Sequence, residues 1–258
     1  MPYFKPLLGL CLFAVACNNS QTISTDQNVP SEEVTEVISK DDAQGIQKKS
    51  FSSKSLGSVS EGRLVNGKSV PFEGPNFRYF DSLSFVNERC YLNDRVLSVV
   101  LHAYEDLERK APNRQFTIME CSNKDGGVIQ PHRTHQNGLS IDFMVPLQKD
   151  NLPCYDYDAI GGRHYLLDFN NNGQLVSDTD VQIDFDLIAK HLLTLDSIGK
   201  TKNVQIKKVI LKTEFKKQLF NTSSGNVLRS AGIYFVQKLT PLINELHDDH
   251  YHIDFEII

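Results

Sequence analysis

The chain has 258 residues, of which 40% are hydrophobic and 23% are charged, and its formal net charge at pH 7 is −5. This composition is typical of a soluble globular protein, and it argues against a protein with many membrane spans and against a mostly disordered chain. The acidic balance also argues against nucleic-acid binding, because surfaces that bind phosphate carry an excess of Lys and Arg.

The first residues have the pattern of an export signal. Lys5 precedes an apolar run over residues 7–16, which is far shorter than the ~20 residues that a membrane-spanning helix needs. The run ends in small residues followed by Cys17, an ending that is similar to a bacterial lipobox. We therefore predict a lipoprotein signal peptide over residues 1–17 that ends at an acylated Cys17. The alternative is an ordinary signal peptide that is cut after Ala16.

Acylation would place the protein in the bacterial cell envelope as a lipoprotein that faces the periplasm. Two or more acyl chains anchor a protein stably, whereas one chain holds it only weakly. We expect contact with the membrane only through this anchor. Residues 18–54 are mostly polar and show no lasting apolar period, which predicts a flexible tether. The folded domain is predicted over residues 55–258.

The folded part shows helical and strand patterns in alternation. Residues 63–80 contain turn signals between short apolar stretches, which are typical of short strands and loops. In chain order, the spacing of apolar residues then predicts a helix over 93–109, strands over 115–121 and 139–145, a strand hairpin over 165–175 that turns at 171–173, a helix over 184–195, a strand over 204–211, a short helix through Phe215 and Phe220, a helix over 231–246 that Pro241 breaks or restarts, and a strand over 251–258. These patterns indicate an α+β fold in which a central antiparallel sheet carries the chemistry and helices flank it.

Three cysteines remain for the folded domain if Cys17 carries lipid and Cys11 is removed with the signal. These are Cys90, Cys121 and Cys154. An odd number permits at most one intramolecular disulfide. We expect either one disulfide or buried thiols that act as small hydrophobic side chains.

Five of the eight histidines lie in two short windows, residues 132–142 and 247–252. In a strand, alternate side chains share a face, so His250 and His252 lie on one face about 7 Å apart. Apolar residues occupy the alternate positions of the strand over 139–145, so Asp142 points away from the core. Gly138 precedes this strand and allows the loop that bears His135 to fold back toward Asp142.

These positions predict a metal centre whose ligands are His135, Asp142 and His252. Two imidazole nitrogens and one carboxylate oxygen suit Zn²⁺, and three protein ligands leave a fourth position for water. His250 is placed to orient this water or to stabilise an oxyanion, and His247 could take a similar part from the preceding loop. We expect the neighbouring Asp248 and Asp249 to be a solvated pair in a loop. The alternative is that either of them accepts a hydrogen bond from a histidine ring and so holds it in place.

The two windows also carry a family resemblance. The pattern HxxHQxGLxxD, from His132 to Asp142, and the pattern HDxHxH, from His247 to His252, resemble the penicillin-insensitive murein endopeptidases. This family belongs to the wider metallopeptidase group of lysostaphin, the D-Ala-D-Ala peptidases and the hedgehog signalling domain. The resemblance touches most of residues 55–258, strongly at the two motifs and faintly between them.

The resemblance implies a zinc enzyme that cleaves the D-alanyl–meso-diaminopimelyl cross-link of peptidoglycan. It implies the same ligands, His135, Asp142 and His252, with His250 and His247 near the water. His132 also matches the family motif, and we expect it either to contact the metal as well or to bind one of the ligands.

The function predicted from the sequence is therefore a zinc-dependent D,D-endopeptidase that acts on peptide cross-links of peptidoglycan. One alternative is a D,D-carboxypeptidase with the same metal chemistry. The other is a non-catalytic zinc-containing module that binds the cell wall or a partner protein.

Overall fold

A computed structural model describes residues 52–258 of the protein. The predicted signal peptide, Cys17 and the tether up to residue 51 lie outside these residues, so they stay predictions. None of the helices in the described range has both the length and the apolar character that crossing a lipid bilayer requires.

The described residues alternate between short strands and helices. The strands are β1 (Lys54–Gly57), β2 (Gly62–Val65), β3 (Lys68–Ser69), β4 (Phe77–Tyr79), β5 (Tyr91–Leu92), β6 (Phe116–Ile118), β7 (Ser140–Met144), β8 (Leu147–Lys149), β9 (Leu152–Cys154), β10 (Gln174–Leu175), β11 (Asp178–Ile183), β12 (Val204–Ile210) and β13 (His250–Ile257). The helices are α1 (Ser82–Val86), α2 (Asp94–Lys110), α3 (Phe185–Thr201), α4 (Phe215–Asn221), α5 (Ser223–Arg229) and α6 (Pro241–Glu245), with a 3₁₀ helix over Gly161–Leu166. This mixture confirms the predicted α+β class.

The largest sheet of the described range has five strands in the order β12-β13-β7-β6-β4. Its first four strands pair antiparallel, as predicted, and β4 joins the edge parallel to β6. A second sheet has the order β10-β11-β8-β9, and two small sheets pair β1 with β2 and β3 with β5.

The two long helices cover one face of the five-stranded sheet. His191 of α3 lies against Phe143 of β7, with ring centroids 4.6 Å apart, and its Nδ1 is 2.6 Å from the hydroxyl of Tyr251 on β13. Tyr104 of α2 stacks on the same imidazole. This apolar side holds the core, so the alternate side chains of β7 and β13 point to the opposite face of the sheet.

Both long helices begin where the sequence predicts, because each has a capping side chain. The Asn93 side chain accepts a hydrogen bond from the backbone N–H of Arg95 at 3.0 Å, and Asp184 accepts one from Leu187 at 3.0 Å. Such caps satisfy backbone donors that have no partner within the helix. The apolar spacing, together with these caps, predicted the first residues of α2 and α3 correctly to within a few residues.

Two predicted elements are wrong in part. The 3₁₀ helix, and not a strand, occupies the predicted hairpin over 165–175 as far as Leu166. The pairing across the turn is confined to residues 168–170, through the bridge between Phe169 and Leu175 and the backbone hydrogen bonds from Val176 to Asp168 and from Asn170 to Gln174. The helix over 231–246 is confined to Pro241–Glu245. Before it, residues 234–236 pair with Val209 at the edge of β12, so the segment contributes to the sheet and not to a helix.

The three cysteines of the described range are free and buried. The thiols of Cys90, Cys121 and Cys154 therefore pack as small hydrophobic groups, which was one of the two expectations.

Candidate metal centre

Strands β7 and β13 bring the two histidine windows together. In their antiparallel register, His252 lies directly opposite Asp142. The Nδ1 atom of His252 is 2.7 Å from Oδ1 of Asp142, and both side chains are buried. These two predicted ligands, which are far apart in sequence, are therefore adjacent on the face opposite the helices.

The loop before β7 adds a second imidazole to the same carboxylate. His135 is fully buried, and its Nε2 is 3.3 Å from Oδ2 of Asp142. Neither atom has a hydrogen-bond partner within residues 52–258, and both are shielded from solvent. A buried nitrogen and a buried carboxylate oxygen that face each other without a hydrogen bond are unusual in a folded protein, and a shared cation would satisfy both.

His132 joins this group from the same loop. Its Nδ1 is 3.7 Å from Oδ2 of Asp142, and His132, His135 and Asp142 each offer one ligand atom within 4.8 Å of the others. The guanidinium of Arg89 holds the loop, because its Nη1 donates to the carbonyl of Gln130 and its Nε donates to the buried Glu120. The structure thus brings His132 into the cluster beside the three predicted ligands.

The imidazole of His252 is held in place from behind by Asp254. Its Nε2 is 2.7 Å from Oδ1 of Asp254, and that oxygen also accepts a hydrogen bond from the hydroxyl of Ser140 at 2.6 Å. The other carboxylate oxygen is 2.9 Å from Nζ of Lys208. A carboxylate on the far nitrogen is the arrangement that fixes the ring of a metal-binding histidine, and the nearer nitrogen, Nδ1, faces Asp142.

The remaining two histidines lie next to the group and contact each other. The ring centroids of His247 and His250 are 4.9 Å apart. Nδ1 of His250 is 2.5 Å from Oδ1 of Asp249, and Nδ1 of His247 is 2.7 Å from the carbonyl of Ile243. Each ring is therefore held through Nδ1, and its Nε2 makes no hydrogen bond to another residue in the range 52–258.

Asp248 and Asp249 are almost completely buried, so the expectation of a solvated pair is wrong. The alternative expectation, that such a residue holds a histidine ring, applies to Asp249, which binds His250.

A buried lysine supports the same segment. The backbone N–H of Lys212 donates to the carbonyl of His247, and its ammonium donates to Glu245 and to the carbonyl of Phe169.

Burial and neighbouring carboxylates shift the pKa values of the histidines in opposite directions. Burial lowers the pKa values of His132 and His247 to about 3, so both rings are neutral at neutral pH. Burial also lowers the pKa of His252, but the carboxylates of Asp254 and Asp142 outweigh this effect and raise its pKa to about 9.

The pKa values of Asp142 and His250 are each shifted by an oppositely charged partner in the site. Burial raises the pKa of Asp142, but the imidazoles of His135 and His252 outweigh it and hold this pKa well below its usual value. Burial lowers the pKa of His250, and Asp249 more than compensates, so that this pKa is raised. The site therefore combines an ionised carboxylate, neutral imidazoles and a histidine–carboxylate pair, which are the groups of metal-assisted and acid–base hydrolysis.

One residue that lies at the site was not predicted from the sequence. Tyr165, near the end of the 3₁₀ helix, places its ring 5.7 Å from that of His250 in an edge-to-face contact. It lies in the stretch that the sequence pattern assigns to a strand hairpin, and no motif marks it. Only the folded chain brings it to the histidines.

Comparison with known proteins gives one family. The model of a family described as penicillin-insensitive murein endopeptidase matches residues 55–257. No curated protein gives a significant match to the chain.

Proposed function

We propose, since the chain belongs to the penicillin-insensitive murein endopeptidase family, that it is a zinc-dependent D,D-endopeptidase of peptidoglycan cross-links. Family membership makes the protein a peptidase of murein. The metal, the D,D specificity and the roles of individual residues are the proposed part.

The observation that carries the zinc proposal is the unsatisfied pair at the centre of the site. Nε2 of His135 and Oδ2 of Asp142 face each other at 3.3 Å, buried and without hydrogen bonds to the rest of the described chain. His135, Asp142 and His252 would hold the ion, with His132 as an additional contact. Zinc with such ligands would activate a water molecule and polarise the scissile carbonyl.

His250 is the residue that we assign to proton transfer. Asp249 holds its Nδ1 and raises its pKa, which makes the ring a stronger base. Nε2 of the neutral ring can then take a proton from the attacking water and give it to the leaving amine. His247, which is neutral and fixed through Nδ1 to Ile243, would orient the reacting groups beside it.

Digestion of purified peptidoglycan tests the proposal. The zinc-loaded protein should convert cross-linked muropeptide dimers to monomers, and a chelator should abolish this conversion. The variant His252→Ala should bind zinc weakly and leave the dimers intact. His102→Ala is the matched control, because His102 is an exposed residue of α2 whose Nδ1 contacts only its own helix, at Ser98.

The products distinguish the alternatives. Release of terminal D-alanine without loss of dimers would contradict the endopeptidase and indicate a D,D-carboxypeptidase. Bound zinc with no product of either kind would contradict both enzymes and indicate a non-catalytic module. A chelator-resistant activity, or a His252→Ala variant equal to the wild type, would contradict the zinc mechanism.

We also propose that Cys17 anchors the enzyme at the cell envelope, facing the periplasm. The support is the apolar run and the small residues that precede Cys17. Mass spectrometry of the mature N-terminus should find an acylated cysteine, and Cys17→Ser should leave the membrane fraction. A mature chain with a free N-terminal Cys17 would contradict acylation.

A further inference from the structure

Tyr165 carries a buried hydroxyl that nothing in the described chain explains. Its oxygen is shielded from solvent and makes no hydrogen bond with any residue of the range 52–258. The ring packs edge-on against His250 on one side and against Phe80 on the other, with centroid distances of 5.7 and 5.8 Å. An unpaired buried hydroxyl costs free energy, and this one belongs to a ring that contacts a histidine of the site, where a group from outside the protein can satisfy it.

The surroundings of this hydroxyl make it a hydrogen-bond donor. Burial raises the pKa of Tyr165 well above its usual value, and the nearby carboxylates of Glu120, Asp142 and Asp249 add to the rise. The phenol therefore keeps its proton at neutral pH. It lies near the same Asp142 that we propose as a zinc ligand and in contact with the histidine that we assign to proton transfer.

The backbone around Tyr165 is fixed to the site. Nε2 of His164 is 2.8 Å from the carbonyl of Asp249, the residue whose carboxylate holds His250. At the other end of the 3₁₀ helix, the N–H of Gly162 donates to Asp81 at 3.0 Å. The 3₁₀ helix that carries Tyr165 and the imidazole of His250 are thus both held by Asp249.

We propose that Tyr165 is a further catalytic residue, whose hydroxyl donates a hydrogen bond to the carbonyl oxygen of the scissile peptide bond. The inference rests on the proposed peptidase function. In the hydrolysis, the oxygen of water bonds to the carbonyl carbon, the π electrons move to the carbonyl oxygen, and the proton of water passes to His250. The C–N bond then breaks and the amine takes that proton. Tyr165 keeps its proton throughout and stabilises the negative charge on the carbonyl oxygen.

A pair of matched variants tests this role. Tyr165→Phe removes the hydroxyl at the site, and Tyr104→Phe removes another buried hydroxyl that has no partner in the described chain but lies in the core against α3. We expect Tyr165→Phe to lower kcat by roughly 10²-fold with KM nearly unchanged, which is the usual effect of losing one oxyanion donor. Tyr104→Phe should keep the wild-type kcat. Both variants should retain full zinc content.

Two readouts besides turnover separate catalysis from a structural role. A phosphinate dipeptide, whose tetrahedral group replaces the scissile amide, should bind Tyr165→Phe roughly 10²-fold more weakly than wild type in calorimetry, since it presents the developing oxyanion. The Tm should not fall, because the variant removes an unpaired polar group.

The inference is overturned if Tyr165→Phe matches Tyr104→Phe in both kcat and phosphinate affinity, or if it loses activity only together with zinc or thermal stability. A zinc-loaded wild type that cleaves no cross-link would instead contradict the proposed function itself, and the role of Tyr165 with it. Measuring the wild type first therefore distinguishes the two failures.

Discussion

At the level of single residues, the side chain of His252 is held through both of its ring nitrogens. Its two ring nitrogens face two carboxylates, Asp142 on the neighbouring strand and Asp254 on its own strand, each at 2.7 Å. Because alternate side chains of a strand share a face, Asp254 lies on the same face of β13 as His252. This alternation could not predict that Asp254 is buried and bound by Ser140 and Lys208, because those partners come from the adjacent strands.

Replacing Asp254 should weaken metal binding without touching a proposed ligand. We expect Asp254→Asn to lower zinc affinity by about 10–100-fold, the usual effect of losing a carboxylate that holds a metal-binding histidine. Competition with a chromophoric chelator measures this. Glu256→Gln is the matched control, since Glu256 is the next residue on the same face and contacts only Gln205 and Lys207 among the described side chains. Equal affinities for the two variants would refute the role of Asp254.

A second residue, remote from the histidines, should give stability a pH dependence. Burial raises the pKa of Asp158 to about 7, although Arg78 and Arg114 act against it. Between the unfolded value near 4 and this folded value, the native state binds more protons than the unfolded state, so its stability falls as pH rises through this interval.

Asp158→Asn removes that proton uptake. The variant should be more stable than the wild type at pH 8, and its advantage should shrink as the pH falls to 4. Thermal unfolding at both pH values measures the difference, with the exposed Asp156→Asn as the control. An advantage of the same size at both pH values would show that Asp158 is not the titrating group.

At the level of elements, the loop before β7 depends on its backbone conformation. His135 and Gly138 have positive φ angles of 68° and 76°, and this turn places the imidazole over Asp142. Gly138 also packs closely, because a Cβ at this position would lie 2.7 Å from Cδ1 of Leu64 and 2.8 Å from the backbone N of Asn93. The predicted role of Gly138, to let the loop fold back, agrees with this geometry.

Gly138→Ala should therefore destabilise the protein and displace His135. A matched control is Gly232→Ala, since Gly232 has a similar φ of 78° and no atom within 4 Å of its would-be Cβ. Both variants carry the cost of a positive φ, so we expect the free energy of unfolding of Gly138→Ala to fall by about 1–3 kcal/mol more, owing to the clash. Denaturant unfolding measures this, and equal losses would show that the loop relaxes without strain.

At the level of the whole molecule, the site joins segments that are distant in sequence. His135 comes from a loop, Asp142 from β7 and His252 from β13, and the 3₁₀ helix brings Tyr165 beside His250. A metal bound only by the folded arrangement stabilises the native state by mass action.

Removal of zinc should therefore lower thermal stability. At a zinc concentration of about 100 times Kd, the stabilisation is about 2.7 kcal/mol, which corresponds to a Tm difference of about 5–10 °C for a domain of this size. Calorimetry with zinc and with chelator measures this shift, which should nearly vanish in His252→Ala. A shift of wild-type size in that variant would show that the metal binds elsewhere.

Local patterns were sufficient for the long elements and for the motif residues. The helices α2 and α3 have apolar residues at helical spacing and capping side chains at their starts, and both signals are present within a short window of sequence. The alternation of β7 and β13 likewise predicted which of their side chains leave the core. The segments over 165–175 and 231–240 were predicted wrongly in part because tertiary contacts, such as the pairing of Phe235 with Val209, overrode weak local preferences.

The sequence by itself therefore determined the α+β class and the face on which His252 and Asp142 lie, since both depend on a period of two or of three to four residues along the chain. The two histidine windows stand directly in the sequence. Only the tertiary structure decided that Asp249 and Asp254 are buried partners of histidines and that Tyr165 reaches His250. These contacts depend on strand register and loop path, which bring together residues whose separation in sequence carries no periodic signal.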